Sequence, residues 1–336
     1  MHNLELRDIY MARQAIHGFA RRTPLVYSAP LSALTQGQVF LKLENLQETG
    51  AFKVRGAANR LLQMDSAERK RGIVAVSTGN HGRALAWMGK QLGIRVVVCV
   101  PELVLPHKVE AMRALGAEVR VAGADQDAAE AAATLMAESE GLTWVSPFDD
   151  PWVIAGQGTI GIEILEELPA VDVVVAPLSG GGLLGGIALA VKSASPQIHT
   201  VGVAMERGAV MVASLAAGRP VQLPEERTLA DSLMGGIGLE NRYTFDLVGR
   251  VVDETALVSE EEIGRAMVYA LKREKLVVEG GGVVGLAALL CQKVDVQGKR
   301  VAVVISGSNV ELGVLSQLLV EAETASKRVR LSSTPL

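Results

Sequence analysis

Strand-like apolar runs alternate with helix-like patterns along most of this chain, and this alternation limits the fold more than any other sequence feature. A first series has strand-like segments at 72–76, 94–100 and 117–121 and helix-like segments at 81–93, 106–116 and 126–140. A second series has strand-like segments at 172–177, 199–204 and 300–305 and helix-like segments at 151–168, 183–194, 260–274, 283–293 and from about 311. Parallel strands need such helical crossovers, so the pattern predicts an α/β fold with parallel sheets and helices on both faces.

The two series are separated near residues 145–150, and 336 residues are enough for two hydrophobic cores. We therefore expect two three-layer domains. Segments 217–227 and 234–243 are rich in glycine, proline and charged residues, and this composition predicts loops.

Composition argues against several classes of function. Hydrophobic residues make up 49% of the chain and charged residues 21%, with a mean hydropathy of +0.27, which is typical of a folded globular enzyme. The net charge of −4 predicts no nucleic-acid partner. Apolar stretches at 172–178 and 281–291 are too short to span a bilayer, and the first residues lack the apolar core of a signal peptide. These features predict no membrane role and a cytoplasmic location.

Metal and disulfide chemistry are not indicated either. Cys99 and Cys291 both lie in apolar segments, where buried free thiols are the usual interpretation. The five histidines show no spacing that would suit metal ligands. We expect no disulfide and no metal site.

Lys53 is the first residue that indicates chemistry. It follows a strand-like segment and a turn at Thr49-Gly50, and it stands beside Phe52 at a helix start. Partial desolvation there would lower the pKa of the lysine and increase its nucleophilic fraction, which suits imine formation. A single lysine at a helix start is more often a solvated surface residue, so this signal needs support.

Two more segments supply that support. A buried strand-like run ends at Pro177 and is followed by the glycine-rich loop Leu178-Ser-Gly-Gly-Gly-Leu183, whose amides and following helix dipole suit a phosphate. Another such run, 300–305, ends at Ser306, whose hydroxyl suits a ring nitrogen. An amine for the aldehyde, a phosphate seat and a hydroxyl for the pyridine nitrogen are the groups that pyridoxal phosphate requires. Taken alone, Ser306 is equally compatible with a turn residue after a strand.

Several motifs in order resemble the second fold type of pyridoxal-phosphate enzymes, the tryptophan synthase β-like fold, and within it the threonine dehydratase and serine racemase family. The likeness covers nearly the whole chain. Its pieces are Arg22-Thr-Pro-Leu25, segment 42–57, Ser77-Thr-Gly-Asn-His-Gly82, Leu115-Gly-Ala-Glu-Val119, Pro147-Phe-Asp-Asp-Pro151, Ala155-Gly-Gln-Gly-Thr159, the glycine loop and 306–309.

The resemblance implies specific roles for these residues. Lys53 would form the Schiff base and remove the Cα proton, Phe52 would lie against the pyridine face and Asn80 would bond the ring hydroxyl. Ser179, Gly180, Gly181, Gly182 and Leu183 would hold the phosphate, and Ser306 would meet the ring nitrogen. A neutral partner such as Ser306 leaves that nitrogen mostly unprotonated, which favours prompt β-elimination. The implied activity is a dehydratase, or ammonia-lyase, that converts L-threonine or L-serine to a 2-oxo acid and ammonia.

The resemblance also implies domain limits that periodicity alone does not give. Residues 1–48 together with 149–325 would form a large cofactor-binding domain. Residues 49–148 would form a small mobile domain, and 326–336 would be a loosely held tail. Enzymes of this fold commonly pair, so a homodimer is expected.

Substrate contacts are expected in the segment Ser77-Thr-Gly-Asn-His81, which opens a helix. Amides and hydroxyls of Ser77, Thr78, Gly79 and His81 would bind the substrate carboxylate, although a simple helix cap would have the same pattern. In racemases of the family a serine at the position of Thr78 returns a proton to Cα. Thr78 keeps a hydroxyl, so a serine racemase remains an alternative.

Three departures from the family pattern concern the substrate and metal sites. Acids that bind a divalent cation in racemase-like members are replaced by Ala204 and Val210, which puts that site in doubt. Residues 279–282 read Glu-Gly-Gly-Gly in place of Glu-Pro-Ala-Gly, and Ala51 replaces the usual serine. The segments at 77–83, 204–208 and 279–282 look like those of hydroxyectoine-utilisation dehydratases, which makes a hydroxylated diaminobutyrate-type substrate a second alternative.

An alternative of another class is an NAD-dependent oxidoreductase. Gly180, Gly182 and Gly185 follow a strand with the dinucleotide-binding spacing, and Glu206 follows the next strand. That interpretation leaves Lys53 and Ser306 without roles.

Overall fold

The computed structural model describes residues 4–102, 104–124 and 126–332. Within these ranges the strands are β1 (Leu25–Tyr27), β2 (Gln38–Leu43), β3 (Ile73–Val76), β4 (Val96–Val100), β5 (Glu118–Val121), β6 (Thr143–Trp144), β7 (Val173–Pro177), β8 (His199–Met205), β9 (Glu254–Val258) and β10 (Arg300–Ile305). The α-helices are α1 (Leu6–Ala15), α2 (Ala29–Thr35), α3 (Lys53–Leu62), α4 (Ser66–Arg71), α5 (Asn80–Leu92), α6 (Pro106–Ala114), α7 (Gln126–Glu140), α8 (Pro151–Glu167), α9 (Gly182–Ala194), α10 (Val210–Ala217), α11 (Thr244–Val251), α12 (Glu260–Tyr269), α13 (Gly280–Leu290) and α14 (Leu312–Ser332).

The larger sheet has six strands in the order β1-β2-β10-β7-β8-β9. All neighbours are parallel except β1, which pairs antiparallel with β2 at the edge. The central strands β7 and β10 are almost entirely buried, as expected for a parallel sheet that helices cover on both faces. The N-terminal strands thus lie in the same sheet as the C-terminal half of the chain.

The smaller sheet has four parallel strands in the order β5-β4-β3-β6. Its core is formed by β3 and β4 with apolar side chains of α3 and α5, such as Val54, Leu61, Leu85 and Met88. One parallel sheet and one that is parallel except for its edge strand β1, each with helical layers, confirm the predicted α/β class. The proposed limits and mobility of the domains stay predictions.

The segments that were expected to carry chemistry lie at carboxyl ends of strands in both sheets. Ser77 follows β3, the glycine loop follows β7 and Ser306 follows β10. The amide of Phe52 donates to the carbonyl oxygen of Ser306 at 3.0 Å, which brings the start of α3 to the end of β10. In open α/β sheets this end is where ligands bind.

Helix α13 begins at Gly280, three residues earlier than predicted. Glycine is a poor helix former, so the sequence favoured a later start. Glycine is needed here because a Cβ atom on Gly280 would lie 2.0 Å from the carbonyl oxygen of Leu229, and one on Gly282 would lie 2.5 Å from that of Gly307. Close packing therefore overrides propensity at this helix start.

Other differences from the sequence prediction are local. The helix predicted over 260–274 becomes α12 followed by a π-helical turn at Ala270–Glu274. The elements that were not predicted are strands β1, β6 and β9 and helices α1, α2, α4, α10 and α11. Of the predicted loops 217–227 and 234–243, Ala217 is the last residue of α10, and the other residues contain neither α-helix nor β-strand. Of the predicted tail 326–336, residues 326–332 continue α14, and 333–336 lie outside the described residues.

None of the described helices is both long and apolar enough to cross a membrane.

Candidate active site

A cavity of about 360 Å³ opens between the carboxyl ends of the two sheets. All of the site residues that the sequence predicted line it, namely Phe52, Lys53, Ser77, Thr78, Gly79, Asn80, His81, Ser179, Gly180, Gly181, Gly182, Leu183 and Ser306. The structure thus brings together segments that are more than 200 residues apart in the sequence.

Lys53 is the first residue of α3, and its amine is buried at the cavity wall. Its Nζ atom donates a hydrogen bond to the carbonyl oxygen of Pro147 at 2.6 Å and lies 5.1 Å from the centre of the Phe52 ring. Burial lowers the pKa of Lys53 to about 8, although the Glu279 carboxylate partly opposes this shift. A lysine with this pKa has a substantial neutral, nucleophilic fraction near neutral pH.

A buried ion cluster lies behind Lys53, two residues along the same helix. The Arg55 guanidinium forms paired contacts with Glu44, at 2.8 and 2.7 Å, and with Glu163, at 2.6 and 2.8 Å. Lys42, which is fully buried, contacts Glu163 at 2.7 Å. Burial alone would raise the pKa of Glu44, but Arg55, Thr23 and Lys42 together outweigh it and lower the pKa. The cluster ties the first turn of α3 to the end of β2 and to α8.

The glycine loop between β7 and α9 is shaped by close contacts. Gly181 has φ of 86°, a left-handed conformation that glycine adopts without strain, and it caps α9. A Cβ on Gly180 would lie 2.3 Å from the Phe148 ring, and one on Gly182 would lie 2.9 Å from the Phe148 carbonyl oxygen. The hydroxyl of Ser179 donates to the carbonyl oxygen of Leu233 at 2.8 Å and is therefore already used. The group of Ser179 that remains for an anion is its backbone amide. First-turn amides of α9 have no partner within the helix.

The sequence did not predict a hydrogen-bond ring beside Asn80. Arg83 donates to the side-chain oxygen of Asn309 at 3.0 Å, and Asn309 donates from its side-chain amide to Asn80 at 2.7 Å. Asn80 donates to a Glu279 carboxylate oxygen at 2.7 Å, and the backbone amide of Asn309 donates to the other oxygen at 3.1 Å. Because arginine can only donate, these contacts fix the orientation of both asparagine amides.

Glu279 is buried and lines the cavity. Burial and the nearby Asp231 raise its pKa to about 7, against the hydrogen bonds from Asn80, Ser232 and the Asn309 amide. A carboxyl group with a pKa near neutrality at a cavity wall is a candidate functional group. The sequence pointed to Glu279 chiefly because residues 279–282 depart from the family pattern, which we interpreted as a change on the substrate side.

The predicted substrate segment divides into capping and cavity-facing groups. The hydroxyl of Ser77 accepts hydrogen bonds from the amides of Gly79 and Gly82, at 3.3 and 3.0 Å, so it acts as a turn and cap residue. The His81 Nε2 atom lies 3.3 Å from the Val145 carbonyl oxygen, and burial together with Lys53 lowers its pKa to about 3. The imidazole is therefore neutral, with Nε2 as the donor.

The two alternative sites do not have the groups that they would need. Ala204 and Val210 are buried apolar residues and offer no metal ligand. Glu206, which the dinucleotide interpretation assigned to a ribose, is not among the residues that line the cavity.

The cavity fits pyridoxal phosphate by the chemistry of its walls. It combines a buried amine on Lys53, a glycine cradle with free helix-start amides, and the Ser306 hydroxyl. The cradle is specific because side chains at Gly180 and Gly182 would collide with Phe148.

Residues 16–307 match the family described as pyridoxal-phosphate dependent enzyme. An L-threonine ammonia-lyase of Thermotoga maritima is 43% identical over 316 residues, which are 94% of this chain and 78% of that protein. A T.th. threonine deaminase of known structure is 38% identical, with a TM-score of 0.84 over 92% of this chain and 99% of that one. Maize serine racemase is 31% identical, with a TM-score of 0.89 over 97% and 100%.

Proposed function

The chain belongs to the pyridoxal-phosphate-dependent enzymes of the threonine ammonia-lyase group, and we propose that its reaction is the elimination of water from L-threonine or L-serine. The protein is a lyase, and its cofactor is pyridoxal phosphate. The oxidoreductase alternative is wrong, because the family match covers the segment on which it depended. The observation that carries the proposal is the convergence of Lys53, the glycine loop and Ser306 on one cavity.

When bound, pyridoxal phosphate supplies an electron sink that makes the substrate Cα proton acidic. The Nζ atom of Lys53 takes that proton, since its lowered pKa provides a neutral amine. The Pro147 carbonyl and the Phe52 ring fix the position of this amine. The β-hydroxyl then leaves as water with the proton that Lys53 has taken up, and hydrolysis of the product gives a 2-oxo acid and ammonia.

The remaining residues hold the reactants in place. Amides of Ser179, Gly180, Gly181, Gly182 and Leu183 would hold the phosphate at the start of α9. Ser306 would meet the ring nitrogen, and Asn80 would bond the ring hydroxyl from within its fixed hydrogen-bond ring. Thr78, Gly79 and His81 line the substrate side.

The test is release of 2-oxo acid from L-threonine and L-serine by the holoenzyme, with the absorbance of the bound cofactor as a second measurement. Lys53→Ala is expected to lose both turnover and the absorbance band of the lysine-bound cofactor. Lys90→Ala, on the exposed face of α5, should retain both. A Lys53→Ala protein that kept both properties would contradict the proposal.

A second candidate substrate is a β-hydroxy amino acid with an additional ammonium group, such as a hydroxylated diaminobutyrate. The specific observation is that the carboxyl groups of Asp231, Glu279 and Glu311 all line the cavity. Asp231 pairs with Lys108 and Glu311 lies beside His107, so a cationic side chain would compete with these partners for the carboxyl groups, whereas threonine would not use them. Comparing kcat/KM for L-threonine and for 3-hydroxy-2,4-diaminobutyrate decides between the two substrates.

Serine racemization is a further candidate, because the hydroxyl-bearing Thr78 lines the same cavity as Lys53. Chiral analysis of residual serine during turnover tests it. Formation of D-serine that Thr78→Val abolishes would support a racemase, and its absence would leave elimination alone.

We also propose that the enzyme is a cytoplasmic homodimer whose residues 49–148 move as a small domain. Both cysteines are free thiols, in keeping with a reducing compartment. Tyr10, Met11 and Tyr27 are exposed apolar side chains of the size found at interfaces. Sedimentation analysis tests the dimer, and scattering with and without substrate tests the domain movement.

A further inference from the structure

Apart from His81, which stays neutral, four side chains that can carry positive charge line the cavity, and two of them lie beside carboxylates. Lys53 contacts the Pro147 carbonyl. His107 lies 3.1 Å from Glu311, and Lys108 lies 2.8 Å from Asp231. The fourth, Arg83, has no carboxylate within ion-pair distance among the described residues. Its side chain makes one hydrogen bond there, from Nη1 to Asn309 at 3.0 Å.

Half-buried Arg69 also has no carboxylate partner within the described part of the chain, but it donates to the carbonyl oxygens of Met64 and Leu62 at 3.1 and 2.8 Å. Arg55 and Arg60, which are also shielded from solvent, both pair with carboxylates. Burial lowers the pKa of Arg83, and the more distant Glu279 only partly offsets that effect. A shielded guanidinium without a counter-ion is unfavourable, and an anionic ligand would compensate it.

Glu279 does not take the place of such a ligand. Its two oxygens are occupied by Asn80 and by the Asn309 amide, and its pKa of about 7 means that it is partly protonated at neutral pH. The remaining N–H groups of Arg83 are left for a ligand. Planar guanidinium groups bind carboxylates through two parallel hydrogen bonds.

The position of Arg83 indicates which carboxylate it meets. Arg83 and Asn80 lie three residues apart on the first turn of α5, so both are on one face of the helix. Both also contact the side chain of Asn309. A substrate that reacts beside Asn80 therefore has Arg83 next to its reacting end.

We propose that Arg83 binds the α-carboxylate of the substrate, an assignment that rests on the proposed function only in that the ligand is an amino acid. Arg83 supplements the helix-start segment at 77–81, where Ser77 is already used as a cap. It was not among the residues that the sequence predicted.

The test compares two ligands that differ only in the carboxylate, L-2-aminobutyrate and 1-aminopropane. Neither has a leaving group, so binding to the holoenzyme is measured from the cofactor absorbance without turnover. The wild type is expected to prefer L-2-aminobutyrate. Arg83→Gln should reduce that preference about 10- to 100-fold, the usual range for hydrogen bonds to a charged group, while 1-aminopropane binds as before.

Two variants support the interpretation of this experiment. Arg83→Lys keeps the charge but not the paired geometry, so it should restore part of the preference, and it serves if Arg83→Gln does not fold. Lys90→Gln removes an exposed cation from the same helix and should leave both affinities unchanged.

Three results would overturn the assignment. The first is an unchanged preference of Arg83→Gln for L-2-aminobutyrate, and the second is an equal loss of affinity for both ligands. The third is a loss of activity toward 3-hydroxyaspartate alone, while the KM for L-threonine stays the same. The last result would place a side-chain carboxylate at Arg83. Failure of the wild type to release 2-oxo acid would contradict the proposed function but not this measurement, because the ligand pair needs no elimination.

Discussion

The Nζ atom of Lys53 lies 2.6 Å from the carbonyl oxygen of Pro147, in the segment where the two series of strands and helices meet. The carbonyl accepts a hydrogen bond from the amine in either charge state, so it orients Nζ without requiring an extra proton on it. Burial is the larger influence and sets the pKa near 8. The site therefore holds its amine in place and keeps part of it neutral.

The lowered pKa of Lys53 predicts a pH-dependent stability of the cofactor-free protein. The folded pKa is about 8 and the ordinary value is 10.5, so the unfolded state binds more protons between these values. The free energy of unfolding contributed by this group must therefore rise as pH increases from 8 to 10.5, by up to about 3 kcal/mol. Urea unfolding across this range should show the rise in the wild type and not in Lys53→Met.

Lys90→Met is the matched control for that comparison, because Lys90 is exposed on α5. Its stability curve should run parallel to that of the wild type. If the stability curve of Lys53→Met also ran parallel to that of the wild type, the amine of Lys53 would not have the lowered pKa.

Glu279→Gln should change both stability and cofactor binding. Its folded pKa of about 7 exceeds the ordinary 4.5, so its contribution to stability is present at low pH and is lost as pH rises from 4.5 to 7. Glu279→Gln should not show this loss of stability between pH 4.5 and 7. Because Glu279 raises the pKa of Lys53, the variant should also shift the pH midpoint of cofactor association toward lower pH. Stopped-flow absorbance at several pH values measures this midpoint, and an unshifted midpoint would show that the two groups are not coupled.

The ion cluster behind Lys53 predicts a difference between two arginines of α3. Arg55→Met leaves the carboxylates of Glu44 and Glu163 buried with one cationic partner fewer, and it should cost about 3–5 kcal/mol of unfolding free energy. Arg60→Met breaks one slightly more accessible pair, with Asp150 at 3.1 Å, and should cost less, about 1.5–3 kcal/mol. Chemical denaturation measures both, and similar losses would show that the cluster has no special importance.

The site residues that the sequence predicted carry a local sequence signal, whereas those that it missed are defined by contacts between distant segments. Lys53, Ser306 and the glycine loop each carry a local signal, a residue type at a strand end beside a turn or helix start, and all of them line the cavity. Glu279 and Asn80 are 199 residues apart, and Arg83 and Asn309 are 226 residues apart. Their contacts depend on how the two sheets face one another, which no local pattern contains.

The same limit applies to the fold. Buried strands such as β7 and β10 form continuous apolar runs and were predicted within a residue of their observed bounds. The charged residues Lys42, Glu44 and Arg55 gave no sign of burial, because charge is normally a mark of exposure. Only their mutual pairing in three dimensions makes burial possible.

The contact between Gly180 and Phe148 predicts a steric effect that can be reversed. In Gly180→Ala the new Cβ would lie 2.3 Å from two atoms of the Phe148 ring, so the loop must shift, and cofactor affinity should fall by at least about tenfold. Phe148→Ala in addition should recover part of that affinity, because it removes the obstructing ring. Gly313→Ala, where nothing lies within 4 Å, is the control and should bind cofactor normally. Titration of the cofactor-free proteins with pyridoxal phosphate measures all of these affinities. Without recovery in the double variant, the glycine would be required for its backbone conformation or for direct approach of the phosphate rather than for space beside Phe148.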